Sequence, residues 1–131
     1  MAMIKLENIE VKFDSFVALK EINIDIQEGE FFTFLGPSGC GKTTTLRTIT
    51  GFIKPTKGRV YIRDVDITDM PVEKRNVGMV FQSYALFPTM SVYENIAFGL
   101  KVQKMAQDKI REKVLSMAEK VELSEDQLRK K

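Results

Sequence analysis

A chain of 131 residues, 44% hydrophobic and 29% charged, has the make-up of one folded unit with a sizeable core, which excludes a disordered or low-complexity segment. Twenty basic against 18 acidic residues leave a net charge of +2, too even a balance to mark a nucleic-acid or membrane-surface footprint by charge alone. With no histidine and one cysteine, imidazole catalysis, histidine ligation, an internal disulfide and a multi-cysteine zinc site are all excluded within the chain.

Met1 to Glu7 lacks the basic stretch and apolar run of a signal peptide, and no segment approaches 18 apolar residues. The expectation is a soluble cytosolic chain unless a partner holds it at a membrane. Ile4, Leu6 and Ile9 space an apolar face, and Ile22, Ile24 and Ile26 alternate with polar residues. That period of two predicts antiparallel strands with one wet face. After a turn at Glu28-Gly29-Glu30, Phe31–Leu35 is an almost wholly apolar run, which predicts a strand buried on both faces in a parallel sheet. Lys42 to Ile53 reads as a helix with Leu46, Ile49 and Phe52 or Ile53 at helical spacing, stopped by Lys54-Pro-Thr-Lys-Gly58. Arg59–Arg63 and Asn76–Phe81 read as further strands, with a polar loop and a helical turn between them.

Beyond Gln82 the pattern turns helical. Ser91 with Glu94 forms a capping box for a helix reaching about Val102. Asp108 to Val121 carries Ile110, Val114, Ala118 and Val121 on one face of an amphipathic helix, and Ser124 with Gln127 caps a short third one. The boundary falls at residues 1–81, an α/β core with an antiparallel part, and 82–131, the start of a helical subdomain.

Gly36-Pro-Ser-Gly-Cys-Gly-Lys-Thr43 matches G-x-x-x-x-G-K-[ST] at every fixed position, between a predicted strand and a predicted helix. Glycines let the backbone curl so that successive N–H groups converge on phosphate oxygens, and the helix start adds about half a positive charge. In such a loop Lys42 bridges the β- and γ-phosphates and the Thr43 hydroxyl ligates Mg²⁺. The plainer reading is a glycine-rich turn with an incidental lysine. Cys40 is either a small residue that fits the loop or a thiol whose pKa is lowered by the helix start.

Gly36–Thr44 resembles the P-loop nucleotide-binding proteins. Val77-Gly-Met-Val-Phe-Gln82 with Ser83-Tyr-Ala-Leu-Phe-Pro88, preceded by Phe16-Val-Ala-Leu-Lys-Glu-Ile-Asn-Ile-Asp-Ile-Gln-Glu-Gly-Glu-Phe31, narrows the resemblance to ABC-transporter ATPase subunits. The wording is most similar to those of bacterial importers for sugars, polyamines, ferric iron and related solutes. The resemblance implies a partial P-loop NTPase fold: an antiparallel β subdomain, a parallel-sheet core around the phosphate loop, then the start of a helical subdomain. It implies ATP and Mg²⁺ as cofactors, and hydrolysis coupled to import.

Residue by residue, the resemblance gives nucleotide contacts at Phe13, Gly36, Pro37, Ser38, Gly39, Cys40, Gly41, Lys42, Thr43 and Thr44. Lys42 and Gln82 are the catalytic positions, and Thr43 and Gln82 the metal positions. An amide at Gln82 accepts from water and donates to phosphate without adding charge. Phe13 stands where many relatives stack Tyr on adenine; Phe16 competes for that role, and either could be core. Tyr84, Leu86, Phe87 and Pro88 are core residues or part of the groove for a permease helix. The implied partners are a second ATPase subunit, forming a homodimer, and transmembrane permease subunits, with no nucleic acid. The implied location is the cytoplasmic face of the cell membrane, held through the permease.

The family also uses an LSGGQ signature, a Walker B strand ending in Asp-Glu and a switch histidine, none of which occurs in these 131 residues. Leu123-Ser-Glu-Asp-Gln127 keeps only a skeleton of the signature, with two carboxylates that would repel phosphate where glycines belong. A fragment, a truncated gene and a naturally short protein all fit, and a fragment is favoured; such a chain is expected to bind ATP without hydrolysing it. The alternatives are another P-loop NTPase. A GTPase would carry [NT]-K-x-D, which is absent, and a small-molecule kinase an arginine-rich lid, for which Arg75 is the single candidate.

Overall fold

The computed structural model describes residues 2–37, 39 and 41–131. The chain folds as two compact units, Met1–Met79 and Val80–Lys131.

In the first unit, β1 (Ala2–Phe13) and β2 (Phe16–Gln27) form a long antiparallel hairpin, and β3 (Lys57–Ile62) and β4 (Val65–Asp66) extend it to a sheet of order β2-β1-β3-β4. Of the expected apolar face, Leu6, Ile9 and Ile26 are buried and Ile4, Ile22 and Ile24 partly buried; Val11, Leu19, Val60, Ile49 and Ile67 complete the core. Leu6 and Ile9 are three apart, so a strict two-residue period would put them on opposite faces. The pairing shifts between them, and Asn8 takes φ 49°; one extra residue restores the phase. A second irregularity at Glu21, φ 50°, does the same between Leu19 and Ile22 on β2. The Asn23 side chain fastens this region, its Oδ1 accepting from the Asn8 amide at 2.9 Å.

Gly58 faces the β1 bulge. Its φ is +93°, and a Cβ there would lie 2.5 Å from both the Glu7 and Asn8 carbonyl oxygens. Gly58→Ala therefore combines a left-handed backbone with a clash against backbone that cannot swing away, a loss of about 3 kcal/mol. The drop is read from the urea midpoint at constant m-value.

α1 (Lys42–Thr50) is three residues shorter than its apolar spacing predicts. Gly51 turns left-handed, and the Gly51 and Ile53 amides both donate to the Arg47 carbonyl at 3.0 and 3.2 Å, ending the helix there. Its buried face is Thr45, Thr48, Ile49 and Thr50 rather than Leu46, which is exposed. Each of those threonines turns its hydroxyl back onto a carbonyl of the preceding turn, so burying them leaves no hydroxyl unpaired. The expected loop after β3 holds β4 and a 3₁₀ turn at Val72–Lys74.

Two expected strands do not form. Phe31–Leu35 and Asn76–Phe81 carry no strand pairing, and Phe31, Leu35 and Val80 are 94%, 90% and 88% exposed. A parallel strand buried on both faces needs ladder partners at its edges and helices over its faces. Among the described residues the strands that do form pair within the antiparallel sheet and offer neither segment a ladder. Phe32 and Phe34, two apart, instead meet edge to face at 5.2 Å.

The second unit holds α2 (Val92–Val102), α3 (Gln107–Lys120) and the one-turn α4 (Glu125–Leu128). Both capping boxes close as predicted. Glu94 N donates to Ser91 Oγ at 3.1 Å and Ser91 N to Glu94 Oε2 at 2.7 Å; Gln127 and Ser124 repeat the exchange at 3.3 and 2.8 Å. The Ser91 amide bond holds the Glu94 carboxyl below its usual pKa, with smaller help from Lys101 and Lys131. Ile110, Val114 and Ala118 of α3 pack with Ala97 and Leu128. Val121 falls just past the end of α3 and is exposed rather than on the buried face.

Candidate functional site

α1 begins without a side-chain cap. Gly41 is its N-cap at φ 93°, and no acidic residue lies in the first turn. The first intrahelical bond is Thr45 N to Gly41 O at 2.9 Å, with the Thr45 hydroxyl on the same carbonyl at 2.7 Å. The amides of Lys42, Thr43 and Thr44 therefore precede the helical ladder, and they carry the positive end of the helix dipole. Helices usually cover these groups with Ser, Thr or Asp. A glycine cap leaves them for an anion instead.

Gly41 is fixed in space by β2. A Cβ at this position would lie 2.6 Å from Leu19 Cδ2 and 3.3 Å from the Ala18 carbonyl oxygen. The buried Leu19 thus forms the floor under the end of the loop, a role the sequence does not advertise. Lys42 folds back across the loop and donates from Nζ to the Gly36 carbonyl. Thr43 is exposed. Gly36, Pro37 and Gly39 are exposed too, whereas Ser38 and Cys40 lie outside the described residues. An uncapped helix start with a lysine drawn back to the Gly36 carbonyl suits a polyphosphate.

Phe13 and Phe16 pair across the tip of the β1–β2 hairpin, and both are exposed rather than core. Phe16 is two residues from Ala18, against which Gly41 packs. The hairpin thereby carries two aromatic residues close in sequence to the strand segment that supports the loop.

Arg75 turns inward. It is 5% exposed, and its guanidinium donates from Nε to Met70 O at 2.8 Å, from Nη1 to Thr48 O and Ile49 O at 3.0 Å, and from Nη2 to Thr68 O at 3.1 Å. Burial lowers its pKa, and Asp69 partly offsets this. Donors spent in this way do not serve as a lid over a phosphate.

In the second unit, Gln82 is exposed and opens a turn over residues 82–85, where Tyr84 and Ala85 take φ 65° and 53°. Tyr84, Leu86, Phe87 and Pro88 are all exposed, so they are not core. Phe87 rests on Phe98 of α2 with ring centroids 4.6 Å apart. Asn95 clamps this loop to the helix. Its Oδ1 accepts from Phe87 N at 2.8 Å, and its Nδ2 donates to Phe87 O at 3.1 Å, Met90 O at 3.3 Å and Ser91 O at 2.9 Å. Neither Asn95 nor Arg75 carries a motif; one polar residue inside a helix and one arginine in a loop give no signal until the fold surrounds them.

Among the described residues no three His, Cys, Asp or Glu side chains cluster to hold a metal ion. The two metal positions that the resemblance implies, Thr43 and Gln82, are neutral oxygen donors, one in each unit, and both are exposed. A neutral hydroxyl or amide oxygen suits Mg²⁺, which keeps most of its waters. No helix among the described residues is long and apolar enough to cross a membrane.

Residues 19–131 match the sequence profile of the family described as ABC transporter. A spermidine/putrescine import ATP-binding protein of Acetivibrio thermocellus is 54% identical over 121 residues, 92% of this chain and 34% of that protein. Its counterpart in Vibrio cholerae is 48% identical over 128 residues, 98% of this chain and 34% of that protein. The chain thus spans about a third of the length of the curated relatives it matches. Among solved structures, a dimeric ATP-binding cassette bound to ADP and Pi in a post-hydrolysis state superimposes with a TM-score of 0.86 at 33% identity, over 98% of this chain and 61% of that one. The protein cbiO1 of Clostridium perfringens, described as part of the ABC transporter complex cbiONQ, gives 0.81 at 30% identity over 99% and 53%.

Proposed function

The chain belongs to the ABC transporter family, and from that premise we propose that it is the nucleotide-binding part of an importer ATPase subunit, with a polyamine as the transported solute. The observation that carries the nucleotide reading is the uncapped start of α1, with Gly41 seated on Leu19 and Lys42 drawn across the loop. The polyamine reading rests on the 46–55% identity to spermidine/putrescine import proteins across several bacteria.

In this reading residues 1–81 form the ATP-binding core and residues 82–131 open the helical portion. ATP lies with its phosphates on Gly36–Thr44, Ser38 and Cys40 included, and its adenine against Phe13. Lys42 neutralises the β- and γ-phosphates. The Thr43 hydroxyl and the Gln82 amide would hold Mg²⁺, which would supply charge neutralisation at the phosphates. Two such subunits face each other, and the exposed Tyr84–Pro88 loop, braced by Asn95, receives a permease helix. The subunit then sits on the cytoplasmic face of the membrane through that permease.

A GTPase or small-molecule kinase is the competing reading. The kinase reading loses its arginine, because Arg75 is buried against carbonyls. Uptake of labelled spermidine tests the proposal in cells whose gene carries Lys42→Ala. Spermidine uptake falls to background while uptake of a sugar through another importer continues. Unchanged spermidine uptake assigns the subunit to a different solute.

A further inference from the structure

We propose that Arg75 is a positioning residue for the phosphate site, acting from the far end of α1; this rests on the nucleotide reading above. A buried arginine ordinarily answers a carboxylate. Arg75 joins no ion pair among those found for the described residues, and its four bonds all go to backbone carbonyls. Two of those carbonyls, Thr48 and Ile49, lie in the last turn of α1, where the helix leaves its oxygens without internal donors and gathers about half a negative charge. The helix end, together with the charge of Asp69, answers the buried cation.

The other side of the same fork is tied to the sheet. Thr68, whose carbonyl accepts from Nη2, receives the Val60 amide of β3 on its hydroxyl oxygen at 2.9 Å, and that hydroxyl donates to Asp66 Oδ1 at 2.6 Å. One planar guanidinium therefore joins the C-terminal end of α1 to β3 and β4. A lysine cannot reproduce this, because an ammonium is a point charge without the fork.

The consequence for the phosphates is a matter of leverage. α1 has nine residues, about 13 Å of rigid rod at 1.5 Å per residue. A tilt of about 5° about its C-terminal end moves the amides of Lys42–Thr44 by about 1 Å, about twice the 0.5 Å within which a preorganised site must be held. Leu19 limits one direction of travel at Gly41, and Arg75 pins the opposite end. Gly51 completes the seat: a Cβ there would stand 2.7 Å from Arg75 Nε and 2.9 Å from Cζ. Gly51→Ala thus displaces the guanidinium without removing it.

The test compares Arg75→Lys and Gly51→Ala with the unaltered chain and with Lys42→Ala. Mg-ATP affinity is read by calorimetry, backbone amide shifts by NMR and folding by circular dichroism, all well below the unfolding temperature. In the folded variants, ATP affinity falls about tenfold, and the amide shifts of Gly41–Thr44 move while those of Leu6–Val11 in β1 stay. If Arg75→Lys does not fold, Gly51→Ala carries the measurement. Unaltered ATP affinity in a folded variant, with shifts confined to the surroundings of Gly51 and Thr68, overturns the proposal and leaves Arg75 a fold-holding residue. Unaltered affinity in Lys42→Ala overturns the phosphate-site reading itself, a distinct failure.

Discussion

Given Mg-ATP, the 131-residue polypeptide binds it and releases phosphate no faster than the background. Phosphoryl transfer depends on positioning and on stabilising the charge that develops in the transition state. The groups gathered around α1 act on the ground state. In the proposed reading, the amides of Lys42–Thr44 and the Lys42 ammonium would meet phosphates that are already charged, and Phe13 would offer a face to a base that takes no part in the chemistry. Ground-state binding by itself does not accelerate the step. A carboxylate or imidazole to orient the attacking water is needed as well. The chain has no histidine, and no apolar run in it ends in an acidic pair. Groups that act as a unit are strongly non-additive, so the absence of one lowers turnover by about 10⁴-fold or more. Phosphate release from the purified polypeptide, beside Lys42→Ala, measures this. Turnover near one per second that vanishes in the variant would overturn the expectation, since a catalytic group would then have to be present.

Lys42→Ala weakens Mg-ATP binding about ten- to a hundredfold, the worth of one charge-assisted hydrogen bond of about 1.5–3 kcal/mol. The Lys42 ammonium already lies over the loop on the Gly36 carbonyl, so little side-chain freedom remains to be lost when a phosphate replaces that partner. The same bond closes the loop in the free chain, so alanine also loosens Gly36 relative to the start of α1. Both effects reduce affinity. Calorimetry with ATP and with AMP separates them: the charge contribution is specific to the β- and γ-phosphates, whereas a loosened loop weakens every nucleotide. Unchanged ATP affinity removes Lys42 from the site.

The start of α1 and both capping boxes were legible from residue types alone, because each is a local arrangement. Ser91 with Glu94 and Ser124 with Gln127 satisfy one another across three residues, and nothing distant is required. The sheet's apolar face was legible too, because alternation of Ile22, Ile24 and Ile26 reports burial wherever the partner strand lies. What needed the tertiary structure were the features that one segment imposes on another. Phe31–Leu35 has the composition of a buried strand, but composition cannot supply the ladder that makes one. Gly58 must be glycine because the β1 bulge presses two carbonyls against it from across the sheet. Arg75 looked available to a ligand until the end of α1 and the Thr68 turn closed around it. Its position in the chain fixes a charge; only the carbonyls that converge on it from Thr48, Ile49, Thr68 and Met70 decide that the charge faces inward, because a buried cation must find acceptors wherever the fold brings them.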